Sequence, residues 1–584
     1  MVPGFPSRDR PTPGASDVAD ATPEVDVEGA FARTRVLVVE PVRTARLLLR
    51  GQLQQLGFVE IVEAGGASEA LRRLADSAFG LVICEETLAT GGNDATTGQQ
   101  LLEHVRETAL IAPSTIFVLC TAESARDRVA AALECPPDDY LLKPFTAERL
   151  AARLQRVFEK RLVMDPAMRR IALKDFAQAA IECERIAAAH PRWRLEALRL
   201  RGRALLDLGR ADEADRAFAQ ALDEREDLAW ARVGRARAAL LAGRLDDAQA
   251  FASAALRSAD ARPGAFDVLA GVARARGDEA ALSAVLQHAS RAVPSVRRRR
   301  EFAHAAYRAG DLATARAEFD RIVRSTRDTV AAVPADVAHL GQIHVDTGDA
   351  VRAITLLTED RAPRNGAHTT PAAVLARQSV LAQAHAARSA FDAAVRALQL
   401  AREAADRLAE SSGDGAAAGA PGVAAAARLH LARAFLSLDD RPGAMAALGE
   451  AIRADHENPA LADLARRMLS GTGLEQDVER VIGESTRGMT EAIERADALM
   501  RAAQYDESIA TLNSALATVP DNTALLIAAT RLHLLWLRQK GLERAYVERV
   551  REFLQRLERL APDSPQVLRL HRFFRETLNR GQGD

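Results

Sequence analysis

A glycine-centred motif that returns at a fixed interval constrains this chain more than any other feature. It is first complete at Leu205-Leu206-Asp207-Leu208-Gly209-Arg210-Ala211-Asp212-Glu213-Ala214, with Phe218 and Ala221 behind it. Gly243 and Gly277 follow at 34-residue steps, and Gly310 comes 33 further on. A period of this length specifies stacked helical hairpins.

The residue types fit such a unit. Seven positions before each turn stands a small residue, Gly202, Ala236, Ala270, Ala303 and, before Gly348, Gly341. A bulky side chain there would hold the two helix axes apart. Glycine at the turn takes the left-handed conformation that ends the first helix. Five residues later Ala214, Ala248, Ala315 and Ala353 face back toward the small position, and Leu198, Leu205, Leu208, Phe218 and Ala221 follow helical spacing. This small, turn-glycine, alanine pattern resembles the tetratricopeptide repeat. The aromatic and proline positions of that family are met at Phe218, Phe319, Pro191, Pro294 and Pro520.

The chain of 584 residues is 48% hydrophobic, enough for a large core in more than one domain, and only 4% aromatic. A formal charge of −2 gives no global attraction to nucleic acid or membrane. Cys84, Cys120, Cys135 and Cys183 are scattered, which suggests neither zinc nor a disulfide framework and points to a reducing compartment. The first residues lack an apolar signal region and no uninterrupted run of about 18 apolar residues occurs, so a soluble cytoplasmic protein is expected.

Residues 1–30, rich in Pro, Gly, Asp and Ala, are expected to be disordered. Order begins at Val36-Leu37-Val38-Val39, the composition of a buried parallel strand. Strands at 60–62, 81–84, 115–120 and 140–142 alternate with helices at 44–56, 68–77, 98–107, 125–133 and 146–160. The alternation predicts an α/β doubly wound five-stranded parallel sheet over 31–161, with its chemistry at the carboxyl ends of the strands.

Residues at those ends carry a second resemblance, to the bacterial response-regulator receiver, particularly the chemotaxis type. It covers about 34–160. Val36-Leu37-Val38-Val39-Glu40-Pro41 stands where the family has a strand followed by two acids, and Leu81-Val82-Ile83-Cys84-Glu85 ends at the phospho-acceptor position. Thr121 matches the family's threonine, Tyr140 its switch aromatic, and Lys143-Pro144-Phe145 its Lys-Pro-Phe. The resemblance implies phosphotransfer through an aspartate, a Mg²⁺ held by carboxylates, and a lysine and threonine on the phosphoryl oxygens.

Two substitutions argue against that activity. Mg²⁺ demands near-octahedral geometry, and the second acid of the pair is Pro41, which offers no carboxylate. Glu85 replaces the acceptor and reaches about 1.5 Å further than aspartate, when a misplacement on the order of 1 Å can cost about a hundredfold. The family's Met-Pro loop is replaced by a longer Gly- and Thr-rich segment over 89–97. A pseudo-receiver is expected, with weak or lost Mg²⁺ binding, no other cofactor, and a standing Glu85–Lys143 ion pair near the acidic-pocket residue Glu40. The alternative is that Glu40, Glu85, Thr121 and Lys143 are solvated remnants without regulatory meaning.

The last receiver helix is expected to end near Arg161, with Asp165-Pro166 opening a new one after a short linker. The repeat solenoid then runs over 162–580, with turn positions at Lys174, Gly209, Gly243, Gly277, Gly310, Gly348, Ser389 and Asp439 and a return at Ala503. Loop insertions near 361–371 and 411–422 stretch the period. An irregular hairpin is expected at 459–482, and closing helices at 532–559 and 565–578.

An extended solenoid has a concave face suited to peptides or protein segments. Arg297, Arg298, Arg299 and Arg300 are read as a solvated helix start, with an acidic-partner patch as the functional alternative. No nucleotide-binding, metalloprotease or nucleophile-elbow motif occurs, and no basic recognition helix follows the receiver. The expectation is a non-enzymatic signalling adaptor. It binds a protein partner on the repeats, uses the receiver for docking or homodimerisation, and engages neither nucleic acid nor membrane. A conventional phosphorylation-switched regulator is the alternative.

Overall fold

Val36–Val39 is buried at every position, as a central parallel strand requires. The computed structural model describes residues 26–88, 96–108, 110–121, 135–258, 262–293, 295–359, 370–411, 421–454, 458–518, 522–560 and 565–580. Strands β1 (Val36–Val39), β2 (Ile61–Ala64), β3 (Leu81–Glu85), β4 (Ile116–Thr121) and β5 (Asp139–Leu142) form one sheet in the order β2-β1-β3-β4-β5. Every pairing is parallel, and the register sets Val39 beside Cys84 and Glu85 beside Cys120. The strand ends carrying Glu40, Glu85 and Thr121 therefore share one edge of the sheet. Helices α1 (Val27–Arg33), α2 (Arg43–Gln55), α3 (Ala67–Asp76), α4 (Gly98–Glu107) and α5 (Ala147–Ala172) accompany it. The helix expected at 125–133 lies outside the described residues.

Order starts earlier than the 1–30 boundary allowed. Asp26 caps α1 by accepting from the Gly29 amide at 2.7 Å, and Phe31 stacks on Phe58 at 4.6 Å and meets Phe158 edge-on at 4.8 Å. The polar average of the leading segment hides one amphipathic turn whose aromatic is worth burying.

The expected break after Arg161 is absent. Helix α5 runs unbroken for 26 residues with Pro166 inside it. A proline removes one backbone donor at a cost of about 3 kcal/mol, but burial on both sides of it holds the helix straight through. Leu150, Leu154, Val157 and Phe158 pack under the sheet, while Val163, Met164 and Ala167 join the first hairpin. One rod thus belongs to both domains.

Hairpins follow: α5 with α6 (Phe176–Ala189), α7 (Arg194–Asp207) with α8 (Ala211–Glu224), α9 (Ala229–Leu241) with α10 (Leu245–Ala255), and α11 (Arg262–Arg276) with α12 (Glu279–Ala292). Next come α13 (Val296–Arg308) with α14 (Leu312–Thr326), α15 (Pro334–Asp346) with α16 (Ala350–Glu359), α17 (Pro371–Ala387) with α18 (Phe391–Ser411), and α19 (Pro421–Leu436) with α20 (Arg441–Ala454). The chain ends in α21 (Pro459–Met468), α22 (Glu475–Arg501), α23 (Tyr505–Thr518), α24 (Thr523–Lys540), α25 (Arg544–Leu560) and α26 (Pro565–Arg580).

Backbone φ marks the register. Gly209, Gly243, Gly277, Gly310 and Gly348 have φ between 67° and 85°, and Lys174, Ser389, Asp439 and Ala503 take the same region at 55° to 61°. At Gly202 an added Cβ would meet the Phe218 ring at 2.5 Å, and Gly234 of the next hairpin presses on the same ring at 2.5 Å. The small positions therefore seat one phenylalanine between two hairpins.

Three expectations on the solenoid are corrected. The hairpin expected at 459–482 does form, α21 packing on the start of α22 with Arg466 paired to Glu479 at 2.6 Å, but α22 continues to Arg501 and absorbs the first helix of the Ala503 repeat. The closing helix expected over 532–559 is two, α24 and α25, separated at Gly541 with φ 100°. Of Arg297, Arg298, Arg299 and Arg300, Arg297 is exposed as a solvated start would be, while Arg298 and Arg300 are held by neighbouring hairpins. Arg298, only 2% exposed, donates to the Pro263 carbonyl at 2.9 Å and pairs with Asp267 at 2.7 Å. Arg300 grips both oxygens of Asp336 at 2.8 Å. Carboxylates on the neighbouring hairpins turn the run into staples. Of the two expected insertions, 360–369 and 412–420 lie outside the described residues, while α17 already starts at Pro371 and α19 at Pro421.

First helices pack on one another, α7 on α9, α9 on α11, α15 on α17 and α17 on α19, whereas successive second helices make no comparable contact among the described residues. First helices consequently line the inner face. Among the described residues no helix is long and apolar enough to cross a membrane.

Candidate functional site

The strand ends bring Glu40, Glu85 and Lys143 into one cluster. Lys143 Nζ donates to Glu40 Oε2 at 2.6 Å and to Glu85 Oε2. Both carboxylates are largely buried, with side chains 6% and 11% exposed, and Lys143 is 29% exposed. Burial disfavours the Lys143 ammonium, but the hydrogen bonds it donates to Glu40 and Glu85 outweigh it and hold its pKa above the ordinary lysine range. Lys143 is placed by its amide, which donates to the Thr121 carbonyl at 2.8 Å, and the Lys143–Pro144 bond is cis. Thr121 ends β4 at the same edge, and Tyr140 sits half-buried on β5. Burial first, then the charge of Glu86, raises the Tyr140 hydroxyl to about 12.

The corner that would hold Mg²⁺ has other occupants. Glu40 Oε1 accepts from the Val42 amide at 2.9 Å, so both of its oxygens are engaged. Glu85 Oε1 lies 3.4 Å from the Thr87 amide. The Arg46 guanidinium donates to the Glu40 and Pro41 carbonyls and to Glu63 Oε2 at 3.0 Å, placing a fixed cation where the loop carbonyls face. Among the described residues no three His, Cys, Asp or Glu side chains are grouped to hold a metal ion. Glu40 and Glu85 are the acids at this edge, and both face Lys143.

Arg46 and Glu86 escaped the sequence reading. Arg46 bridges backbone carbonyls and the distant Glu63, Glu86 meets a backbone amide, and a lone charged residue beside a strand end signals neither. Buried Glu86 accepts from the Gln99 amide at 3.2 Å, while its own carbonyl accepts from Gly98 at 2.8 Å. This pins the start of α4 to the strand that carries Glu85. Gly98 is forced there, since a Cβ would lie 2.4 Å from the Glu85 carbonyl oxygen.

The same edge touches the solenoid. Thr96 Oγ1 accepts from the Val330 amide at 3.2 Å, and the Val330 side chain is buried in the receiver cluster with Leu88, Leu101 and Leu102. The segment before α4 is thereby tied to the loop between α14 and α15.

A parallel sheet in this strand order, with two acids and a lysine at its carboxyl edge, defines a receiver-type signalling domain. The chain belongs to the response-regulator receiver family: residues 36–155 match the model of the response regulator receiver domain. The probable chemotaxis protein CheY of Rhizobium etli is 31% identical over 129 residues, 22% of this chain and 93% of that protein. The chemotaxis protein CheY of Pseudomonas aeruginosa is 28% identical over 126 residues, 22% of this chain and 97% of that protein. Two solved structures align with the larger part of the chain. The APC/C hetero-tetramer Cut9-Hcn1 does so at 16% identity and a TM-score of 0.27, covering 64% of this chain and 68% of that one. Naa15/Naa10 bound to HypK-THB does so at 14% identity and 0.25, covering 73% and 67%. Those scores transfer no architecture, and the TPR-like description rests on the chain's own turns and packing.

Proposed function

We propose that this chain is a regulator that acts by binding rather than catalysis. In it the receiver is held in one state by its own ion pair and the inner face of the helical repeats receives a protein partner. The observation that carries the reading is Lys143 bridged between Glu40 and Glu85. A carboxylate fixed by the chain neutralises the lysine that a phosphoryl group would otherwise engage, so the pocket needs no phosphodonor to be satisfied. The continuous α5 and the Thr96–Val330 contact support a docking role, because the receiver is braced against the repeats at two places.

Incubation of the full chain with acetyl phosphate and Mg²⁺ tests the first half, with intact mass as the readout. No gain is expected; a stoichiometric phosphoryl gain overturns the pseudo-receiver reading in favour of a phosphorylation-switched regulator. A pull-down with the full chain, with and without phosphodonor, tests the second, and equal capture is expected.

A further inference from the structure

The stacking rule of the solenoid fails at one point. Elsewhere each second helix packs on the first helix of the next hairpin, α8 on α9, α10 on α11 and α14 on α15. After α20 that place is taken by α22, and α21 packs less closely on both, held to α22 by the Arg466–Glu479 pair at 2.6 Å. It lies chiefly on α19 and reaches back to α13, the first helix of a hairpin three repeats earlier. Since first helices line the inner face, α21 spans the groove where a bound helix would lie.

Its side chains are those of a ligand helix. Leu461, Ala465 and Met468 are buried in one cluster with Ala303, Ala306 and Tyr307 of α13 and Leu429 of α19, and Leu464 packs beside them. Asp463 and Arg466 face out. Arg467 rests against the end of α13, with its guanidinium 3.4 Å from where a Gly310 Cβ would stand. Ten residues with one apolar stripe make a short helix of little intrinsic stability. Gly471 and Gly473, both with φ near 72°, follow it as a ready hinge.

The first helices are also joined to one another by buried polar groups. Tyr307 donates to Asp346 at 2.8 Å, Gln342 donates to Gln383 at 2.9 Å, and Gln383 donates to the His430 carbonyl at 3.1 Å, all on first helices and nearly all buried. Among these helices Ser379 Oγ, His339 Nε2 and His430 Nε2 are buried with no hydrogen-bond partner among the described residues.

We infer that α21 is a built-in occupant of the inner groove. On this reading the partner presents an amphipathic helix that replaces it, with apolar residues at the spacing of Leu461, Leu464, Ala465 and Met468. This rests on the proposal that the inner face binds protein. A tethered occupant competes at an effective concentration of order millimolar, so the groove is open only a small fraction of the time and apparent affinity falls by that fraction.

The test uses the full chain and a fluorescein-labelled peptide copying residues 458–470. The double variant Leu461→Asp, Met468→Asp should bind it at least about tenfold more tightly than the wild type by fluorescence anisotropy, with amides of α13 and α19 newly exchanging. Equal binding by both proteins overturns the built-in occupant but leaves the inner face as a binding surface. Newly exchanging amides without peptide binding by either protein overturn both. Unchanged exchange on α13 and α19 overturns the occupant. Hydrogen exchange on the wild-type chain needs no variant: α21 should open well before α19, and exchange of both together shows α21 to be fixed core and ends the proposal.

Discussion

Lys143 holds together two carboxylates that would repel each other without it, and this makes the three residues unequal. Lys143→Met leaves Glu40 and Glu85 crowded and uncompensated at the strand ends, whereas Glu85→Ala leaves Lys143 its bond to Glu40. The first should cost about 2–3 kcal/mol and the second about 1 kcal/mol or less, read as urea midpoints of the full chain; equal costs would show that the bridge is ornamental. Restoring chemistry needs both missing acids. Glu85→Asp alone should gain no phosphoryl mass with acetyl phosphate, because Pro41 still supplies no metal ligand, while Pro41→Asp with Glu85→Asp should gain some. A gain by the single variant would remove Pro41 from the argument. Glu40, Glu85, Thr121 and Lys143 were legible in the sequence because parallel strands put their C-terminal residues side by side, whatever lies between them. Arg46 and Glu86 were not, because backbone carbonyls and amides leave no trace in residue types. A second residue-scale prediction concerns acid. The His339 ring meets His304 edge-on at 4.7 Å and His430 at 5.3 Å, and burial first depresses all three, followed by His339 itself at His304 and His430 and by Arg300, Arg308 and Arg433. Only Asp336 and the Ala335 carbonyl pull the other way, at His339. The unfolded chain therefore takes up protons near pH 6.5 that the folded chain refuses. Their contribution is complete above that pH and is lost progressively as pH falls below it. A urea midpoint for the helical region that is flat from pH 7.5 to 5.5 would contradict this.

At the scale of elements, the hairpin turn separates conformational cost from contact. Gly209 and Gly243 have φ of 79° and 75° with open space where a Cβ would go, so Gly243→Ala should cost only the left-handed backbone penalty, about 1 kcal/mol. The reverse change, Ala503→Gly, should stabilise the chain slightly, since alanine there already carries that penalty at φ 59°. Lys174→Gly should gain nothing, because it also removes the 3.2 Å pair with Glu558. Thermal unfolding of the three variants checks the order, and a loss at Ala503→Gly would show that the turn is not where the strain lies. The nine turn positions were readable even where glycine is absent, because spacing carried the register across Lys174, Ser389, Asp439 and Ala503. What spacing could not show is where a helix declines to stop. Pro166 and the residues after 482 look like ends locally, but α5 and α22 continue because burial on each side outweighs the local signal. The arginine run misled for a related reason: its partners Asp267 and Asp336 are some thirty residues away on the adjoining hairpins, and only the stack brings them near.

Over the whole molecule the repeats wind far enough for the end to meet the beginning. Arg575 on α26 donates to the Lys174 carbonyl at 3.1 Å and pairs with Asp175 at 3.2 Å, and Glu558 on α25 receives Lys174 and His571. These residues cap the first turn of the solenoid, so the last helices close on the hairpin that shares α5 with the receiver. The joint is polar. Phe176 belongs to the apolar cluster of the first hairpins, and Leu570 and Phe574 to that of the last, with no shared core between the two among the described residues. A closure held by partly exposed charges is weak and salt-dependent, because the screening length shrinks from about 8 Å at physiological ionic strength to about 3 Å at 1 M. A solenoid whose ends are free gains conformational freedom cheaply, since each hairpin depends only on its neighbours. Arg575→Glu sets a negative charge against Asp175 and should open the ring without unfolding any hairpin. The expected result is an increased radius of gyration by small-angle scattering at unchanged circular dichroism, with the wild type approaching the variant as salt is raised to 1 M. If the variant and the wild type scatter alike at every salt concentration, the contact between the ends does not hold the superhelix closed, and the inner face stands open to partners from the side as well as along its axis.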